Sequence, residues 1–121
     1  MYLYNAKLVR VIDGDTIDAV IDLGFDVWIK KRVRLYGINT PETRTRDLEE
    51  KQAGIASKKR LQELIDDSGG KFRIQSHGIG KYGRCLGTLF IDDTNINVLL
   101  LEEGLAEKYQ RNTYLKIGES I

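Results

Sequence analysis

Five short runs of alternating apolar and polar residues, with one stretch of helical spacing between the third and fourth, predict an α+β domain that is mainly β. The runs are Tyr4–Val11, Thr16–Leu23, Val27–Tyr36, Lys71–Ser76 and Cys85–Ile91. Short gaps rich in Asp and Gly separate the first three, which reads as an antiparallel meander. At 121 residues the chain makes one domain, 1–121, large enough for a hydrophobic core without staples.

Each element has a local reason. After the first strand, Asp13-Gly14-Asp15 is a tight-turn signal. The second strand puts Ile17, Ala19, Ile21 and Leu23 on one face and Asp18 and Asp22 on the other. Leu23-Gly24-Phe25-Asp26 turns the chain into the third strand, which carries Val33 and Leu35 alternating with Arg34 and Tyr36. Gly37 then permits a bend, and Thr40-Pro41 cannot continue a ladder because proline has no N–H to donate. The charged run Thr43–Lys51 reads as a mobile loop leading into a helix. Ala53, Ser57, Leu61, Leu64 and Ile65 recur at helical spacing, cleanly from Ala56 onward because Ile55 falls on the opposite side. Gly69-Gly70 stops that helix. His77–Gly83, with its glycines, reads as a loop, and Asp92–Asn95 as a turn. Asn97–Glu103 is a short helix with Asn97 as its cap, ended by Gly104. Residues 109–121 read as a C-terminal tail without a clear order signal. Five strands, a helix between strands 3 and 4 and a short helix after strand 5 together predict an OB-fold barrel. Such barrels often bind oligonucleotides, but fold alone does not give function.

The apolar share of 41% and charged share of 31% are ordinary for a soluble protein. A net charge of +1 selects neither for nor against a polyanion, so any positive surface must be local. No run approaches the roughly 18 apolar residues of a membrane span, and no long apolar segment near Met1 suggests export. The expectation is a cytoplasmic monomer without membrane or obligate protein partners, or a protein carried by a phage or mobile element. One cysteine, Cys85, excludes an internal disulfide and reads as a small core residue.

Three segments carry candidate chemistry. Asp13-Gly14-Asp15-Thr16 offers two carboxylates at a turn, but Ile17 occupies the third ligand position of an EF-hand and excludes that motif. Lys81-Tyr82-Gly83-Arg84 is not a phosphate-binding P-loop, because Tyr82 follows Gly80-Lys81. His77 is the only histidine, too few for a His-based nucleophile triad or a zinc site built on several histidines. Taken singly, each segment is most simply a solvated turn. Together they supply two arginines, Arg34 and Arg84, and three oxygen-bearing side chains, Asp15, Asn39 and Glu42. Oxygen ligands suit hard divalent cations, and arginine forks match phosphate oxygens. Cation, arginines and a carboxylate base are what phosphodiester hydrolysis requires.

Val11–Thr16 (VIDGDT), Arg34–Thr43 (RLYGINTPET), Lys81–Arg84 (KYGR) and Asn97–Ala106 (NVLLLEEGLA) resemble, in order and spacing, the staphylococcal nuclease (thermonuclease-like) family. The resemblance spans Ala6 to Lys108. It implies a calcium-dependent nuclease acting on DNA and RNA. Asp15 and Asn39 would ligate the metal through their side chains and Thr40 through its carbonyl. Glu42 would serve as general base, or order the attacking water. Arg34 and Arg84 would hold the scissile phosphate, and Lys81 and Tyr82 would contact substrate phosphate. Products would be a 3′-phosphate and a 5′-hydroxyl.

The chain departs from the family pattern at Asn39, where a second Asp usually stands. Loss of a charged ligand predicts weaker calcium binding, or use of magnesium or manganese instead. Substrate-contacting tyrosines are also out of register: Gln110 and Asn112 fall at their places, with Tyr109 and Tyr114 close by and Tyr109 the candidate for substrate contact. The long C-terminal helix of the secreted enzymes is expected to be shortened or absent. A different class remains open, a non-cleaving OB-type module that holds single-stranded nucleic acid through Trp28, Tyr36 and Tyr82 with nearby basic residues. A structural or protein-interaction domain is the third.

Overall fold

The computed structural model describes residues 2–109, and of Lys81 only the backbone. Strands β1 (Leu3–Asp13), β2 (Thr16–Asp22) and β3 (Trp28–Leu35) form the expected meander. A two-residue strand, β4 (Ile38–Asn39), precedes helix α1 (Leu48–Asp66). Then come β5 (Lys71–Ile79), a 3₁₀ turn at Lys81–Gly83, β6 (Cys85–Ile91) and β7 (Thr94–Asn95). Helix α2 (Ile96–Glu102) and β8 (Glu107–Lys108) complete the described chain.

The main sheet runs β3-β2-β1-β5-β6-β7, and β3 also pairs with β6. That last pairing is parallel, from Val33↔Cys85 to Leu35↔Gly87, and closes five strands into a barrel. Strand β1 can serve two neighbours because it is long and bent. It pairs β5 through Leu3–Lys7 and β2 through Ala6–Asp13, with register shifts between Leu8 and Arg10 and between Val11 and Asp13. The OB-type barrel expected from the element order is therefore the fold observed.

Closure depends on close approach. A Cβ on Gly87 would lie 2.9 Å from Ile74 Cγ2 and 3.3 Å from Val33 Cγ1, so only glycine lets β6 sit against β3 without displacing the core. Inside, Ile17, Val33, Leu35 and Leu89 are fully buried, with Leu61 and Ile65 of α1 and Leu100 of α2 packed on them.

Several local expectations are corrected. Helix α1 starts at Leu48, inside the charged run expected to hold a loop and the start of a helix, and continues unbroken through Ile55. Asp47 Oδ1 accepts from Glu49 N at 3.0 Å and Glu50 N at 3.3 Å, so the charged run is a capped first turn with acids at its positive end. Leu23, assigned to the core face, is 44% exposed because it lies beyond the last paired residue of β2, where the hairpin turns. His77 belongs to β5. Asn95, not Asn97, caps α2, its Oδ1 accepting from Val98 N at 3.0 Å. Cys85 is half-buried at the edge of the core.

Asn97 instead acts inside, where it is 4% exposed. Its Oδ1 accepts from Leu89 N at 3.1 Å, and its Nδ2 donates to Tyr36 O at 2.9 Å and Gly87 O at 3.1 Å. One side chain thus joins α2 to both strands of the closing pair. Asn97→Ala leaves buried backbone groups without these partners, and urea unfolding is expected to show a loss of about 2–4 kcal/mol. A loss below about 0.5 kcal/mol would mean that the barrel closes without this clamp.

Candidate active site

The end of β3 and the turn between β1 and β2 meet at one rim of the barrel. Asp15 is 7% exposed there. Its Oδ2 accepts from Thr40 N at 3.0 Å and its Oδ1 from Thr16 Oγ1 at 2.9 Å. Arg34 Nη1 lies 3.5 Å from Asp15 Oδ2, donates to Ile38 O at 2.8 Å and to Leu35 O at 3.1 Å. Its Nη2 donates to Asn39 Oδ1 at 3.0 Å. The Tyr109 ring lies 5.7 Å from the guanidinium carbon, and Tyr109 N donates to Gly37 O at 2.9 Å. A planar cation with this many fixed acceptors is preorganised, and it leans over the carboxylate of Asp15.

The loop that carries Glu42 is held from three sides. Thr40 N is bonded to Asp15, as above. Thr43 Oγ1 donates to Asp13 Oδ1 at 2.7 Å, and Glu42 N donates to Glu50 Oε2 at 3.1 Å. From below, α1 approaches so closely that a Cβ on Gly54 would fall 2.6 Å from Glu42 O and 2.7 Å from Pro41 O. A Cβ on Gly14 would lie 2.7 Å from Ser57 Cβ and 3.0 Å from Thr40 Cγ2. Ser57, wholly buried, donates to Leu105 O at 2.6 Å and so ties α1 to the segment leading into β8. Glu42 itself is exposed on this fixed loop.

Thus Asp15, Arg34, Asn39 and Thr40 are brought into direct contact, with Tyr109 against Arg34. Arg84 stands one residue before β6. The parallel register sets Arg34 opposite Leu86, two residues after Arg84, so Arg84 leads into the strand beside β3. Arg84 Nε is buried without a hydrogen-bond partner, and no hydrogen bond links Arg84 to Asp15, Arg34 or Asn39. Tyr82 is 93% exposed with a φ of 61°, and Lys81 contributes its backbone to the same turn. Gln110, Asn112 and Tyr114 lie outside the described residues. The ring of Tyr36 is covered on one face by His77, with centroids 4.2 Å apart. His77 Nε2 lies 2.8 Å from Thr88 Oγ1, and burial pushes its pKa down. Sequence reasoning placed Asp13 at a carboxylate turn and Ser57 on the helical stripe without their bonds to Thr43 and Leu105, and it missed Gly54. The spacing of Gly54 and Ser57 along the buried stripe of α1 was the available signal.

Among the described residues no three His, Cys, Asp or Glu side chains gather in a metal-holding group. A cation here would rest on one buried carboxylate, an amide oxygen and a backbone carbonyl. That set is all oxygen and fits a hard divalent ion, with little negative charge to hold it.

Fold and site define a small closed β-barrel with a carboxylate–guanidinium cluster at one rim. A family model described as "Staphylococcal nuclease homologue" matches residues 32–118, which take in Arg34, Glu42 and Arg84. Endonuclease YncB of Bacillus subtilis is 33% identical over 117 residues, covering 92% of this chain and 52% of YncB. Thermonuclease of Staphylococcus intermedius is 37% identical over 98 residues, covering 80% of this chain and 55% of that protein. The SPbeta prophage-derived endonuclease YokF of B. subtilis is 32% identical, over 92% of this chain and 37% of YokF. The chain belongs to the staphylococcal nuclease family, and it spans about half the length or less of these YncB and YokF relatives. No helix among the described residues is long and apolar enough to cross a membrane.

The contact at Gly54 makes a checkable demand. Alanine is the better helix former, by about 1 kcal/mol. Here its methyl would meet two backbone carbonyls that cannot rotate away, so Gly54→Ala is expected to destabilise by about 1–3 kcal/mol in urea and to raise hydrogen exchange across residues 40–43. A stabilised variant would show that the loop is free to move off α1.

Proposed function

We propose that this chain hydrolyses phosphodiester bonds of DNA or RNA with the help of a divalent cation, calcium or else magnesium or manganese. One observation carries the reading: the Arg34 guanidinium is locked over the buried Asp15 carboxylate, on the strand whose barrel neighbour leads out of Arg84. The names of the endonuclease and thermonuclease relatives support it. Asp15, Asn39 and the Thr40 carbonyl would hold the cation, which when bound neutralises phosphate charge and makes its water more acidic. Arg34 presents fixed donors to the phosphate. Arg84, with its buried and unpartnered Nε, would supply donors as charge builds on the phosphate oxygens. Glu42 takes a proton from water, the water oxygen bonds to phosphorus, and the bond to the 5′-oxygen breaks. That oxygen takes a proton from solvent water and leaves as a 5′-hydroxyl, and phosphate stays on the 3′ side. Lys81, Tyr82 and Tyr109 are the proposed substrate contacts flanking this centre.

The test is cleavage of a labelled single-stranded DNA with calcium, magnesium or manganese, and with chelator. Metal-dependent cutting is expected, reduced about 10²–10³-fold in Glu42→Gln and in Arg84→Ala. Binding without cutting in every ion would replace the enzyme by a non-cleaving nucleic-acid-binding barrel.

Asn39 is tested separately from activity. Its neutral oxygen already accepts from Arg34, so the site offers a cation only one charged side-chain ligand. Calorimetric titration of Asn39→Asp is expected to show calcium binding about tenfold tighter than in the native chain. Equal affinities would mean that Asn39 is not a ligand.

A further inference from the structure

Away from the rim, the outer face of the barrel carries an unusual row of charge. Lys30 of β3 and Lys7 of β1 both pair with Val20 of β2, and Lys7 pairs directly with Lys71 of β5. Three exposed lysines therefore lie in one line across four strands, about 14 Å from end to end. Like charges directly opposite destabilise a sheet. The next row shows how this sheet treats charge elsewhere: Arg32, Asp18 and Arg10 are cross-strand partners and form ion pairs at 2.8 and 3.3 Å. Hydrogen bonds from Arg32, then from Arg10, hold Asp18 below the usual carboxylate range against the opposing effect of burial. The lysine row has no such compensation, since none of its members enters an ion pair among the described residues.

Trp28 stands beside the row, 43% exposed, with Lys7 Nζ 4.9 Å from its ring centroid. Trp28, Lys7, Lys71, Arg73 and two carboxylates, Asp22 and Asp92, are among the residues lining one open trough of about 620 Å³, as is Asn5. We propose that this face is a second binding surface for a single strand of nucleic acid, separate from the site around Asp15 and Arg34. It rests on the reading of DNA or RNA as ligand. The lysine row tracks successive phosphates, and Trp28 provides a stacking platform for an unpaired base. Asn5 and Asp22 line the same trough and offer hydrogen bonds to base edges. From Lys7 to the rim at Asp13 is about 20 Å along β1, roughly six stacked nucleotide steps. Only a longer strand can reach both places.

Binding of a labelled 20-nucleotide single strand, measured by fluorescence anisotropy in chelator over a salt series, tests this. The Lys7→Gln/Lys30→Gln/Lys71→Gln protein is expected to bind about tenfold or more weakly, with the slope of log affinity against log salt reduced by about 2. Trp28→Leu is expected to lose about five- to tenfold with the slope unchanged. Native affinity and slope for the 20-mer in the triple variant would overturn the proposal. So would loss of binding to phosphatidylserine vesicles with oligonucleotide binding intact, which would assign the face to a membrane surface. Because chelator is present throughout, a protein that cuts nothing in any metal would refute the nuclease reading and leave this result standing.

Discussion

The short parallel pairing of Val33–Leu35 with Cys85–Gly87 is the contact on which the rest of the molecule depends. Without it the sheet is an open ribbon with Arg34 on one edge strand and the segment leaving Arg84 on the far side. With it the barrel closes, the core of Val33, Leu35 and Leu89 is sealed, and two arginines distant in sequence come onto adjacent strands. Parallel pairs are slightly weaker per residue than antiparallel ones, and this one is only three residues long. It is reinforced from outside its own ladder. Asn97 bonds to both strands, Tyr36 N donates to Gly87 O at 2.8 Å, and the absent side chain of Gly87 lets the backbones approach.

The rim then follows from how the chain leaves β3. Gly37, with φ of 80°, turns it, and β4 pairs with β8 so that Ile38 and Asn39 cannot drift. Arg34 reaches forward to bond the carbonyl of Ile38 and the amide of Asn39. The same side chain that would meet a phosphate therefore also sets the path of the loop presenting Glu42. Both aspartates of the Asp13-Gly14-Asp15 turn grip that loop, through Thr43 and Thr40, and Gly14 between them lets Thr40 and Ser57 close in. Rigidity in the backbone with exposure at Glu42 is the combination expected where a loop residue acts on a ligand.

Much of this was legible in the sequence, for definite reasons. Strands announced themselves wherever one face is core and the other water, as in Val33 and Leu35 against Arg32. Gly69 and Gly70 ended α1 because both need positive φ, 73° and 80°. What escaped were features whose partners are remote. Where in the charged run α1 starts was not legible, since its first turn is stabilised by the Asp47 cap and not by an apolar stripe. Asn97 looked like a cap because its polar type suits helix starts, whereas its real partners lie at Tyr36, Gly87 and Leu89. Gly54 looked like an ordinary weak point in a helix, and only the carbonyls of Pro41 and Glu42 above it explain it. Strands β4 and β8 are too short to show any period. Of the candidate site, the identities of Asp15, Arg34, Asn39 and Glu42 could be picked out, but not the bond from Arg34 to Asn39.

That bond bears on the electrostatics of the whole rim. Asp15 and Arg34 are 3.5 Å apart and nearly cancel, and Asn39 adds no charge, so the field that would draw a divalent cation is weaker than two carboxylates would make it. The same neutrality removes a repulsion. A phosphate approaching Arg34 meets one buried carboxylate already engaged by Thr40 and Thr16, not an anionic pair. On the proposed reading, affinity for a nucleic-acid backbone would then come from arginine at the rim and lysine on the outer face, with less reliance on a tightly held metal. A net charge of +1 conceals this arrangement, since several acids are paired, at caps or on α1, while the lysine row enters no ion pair among the described residues. The distribution of charge over the surface, and not its sum, is what would suit the chain to a polyanion.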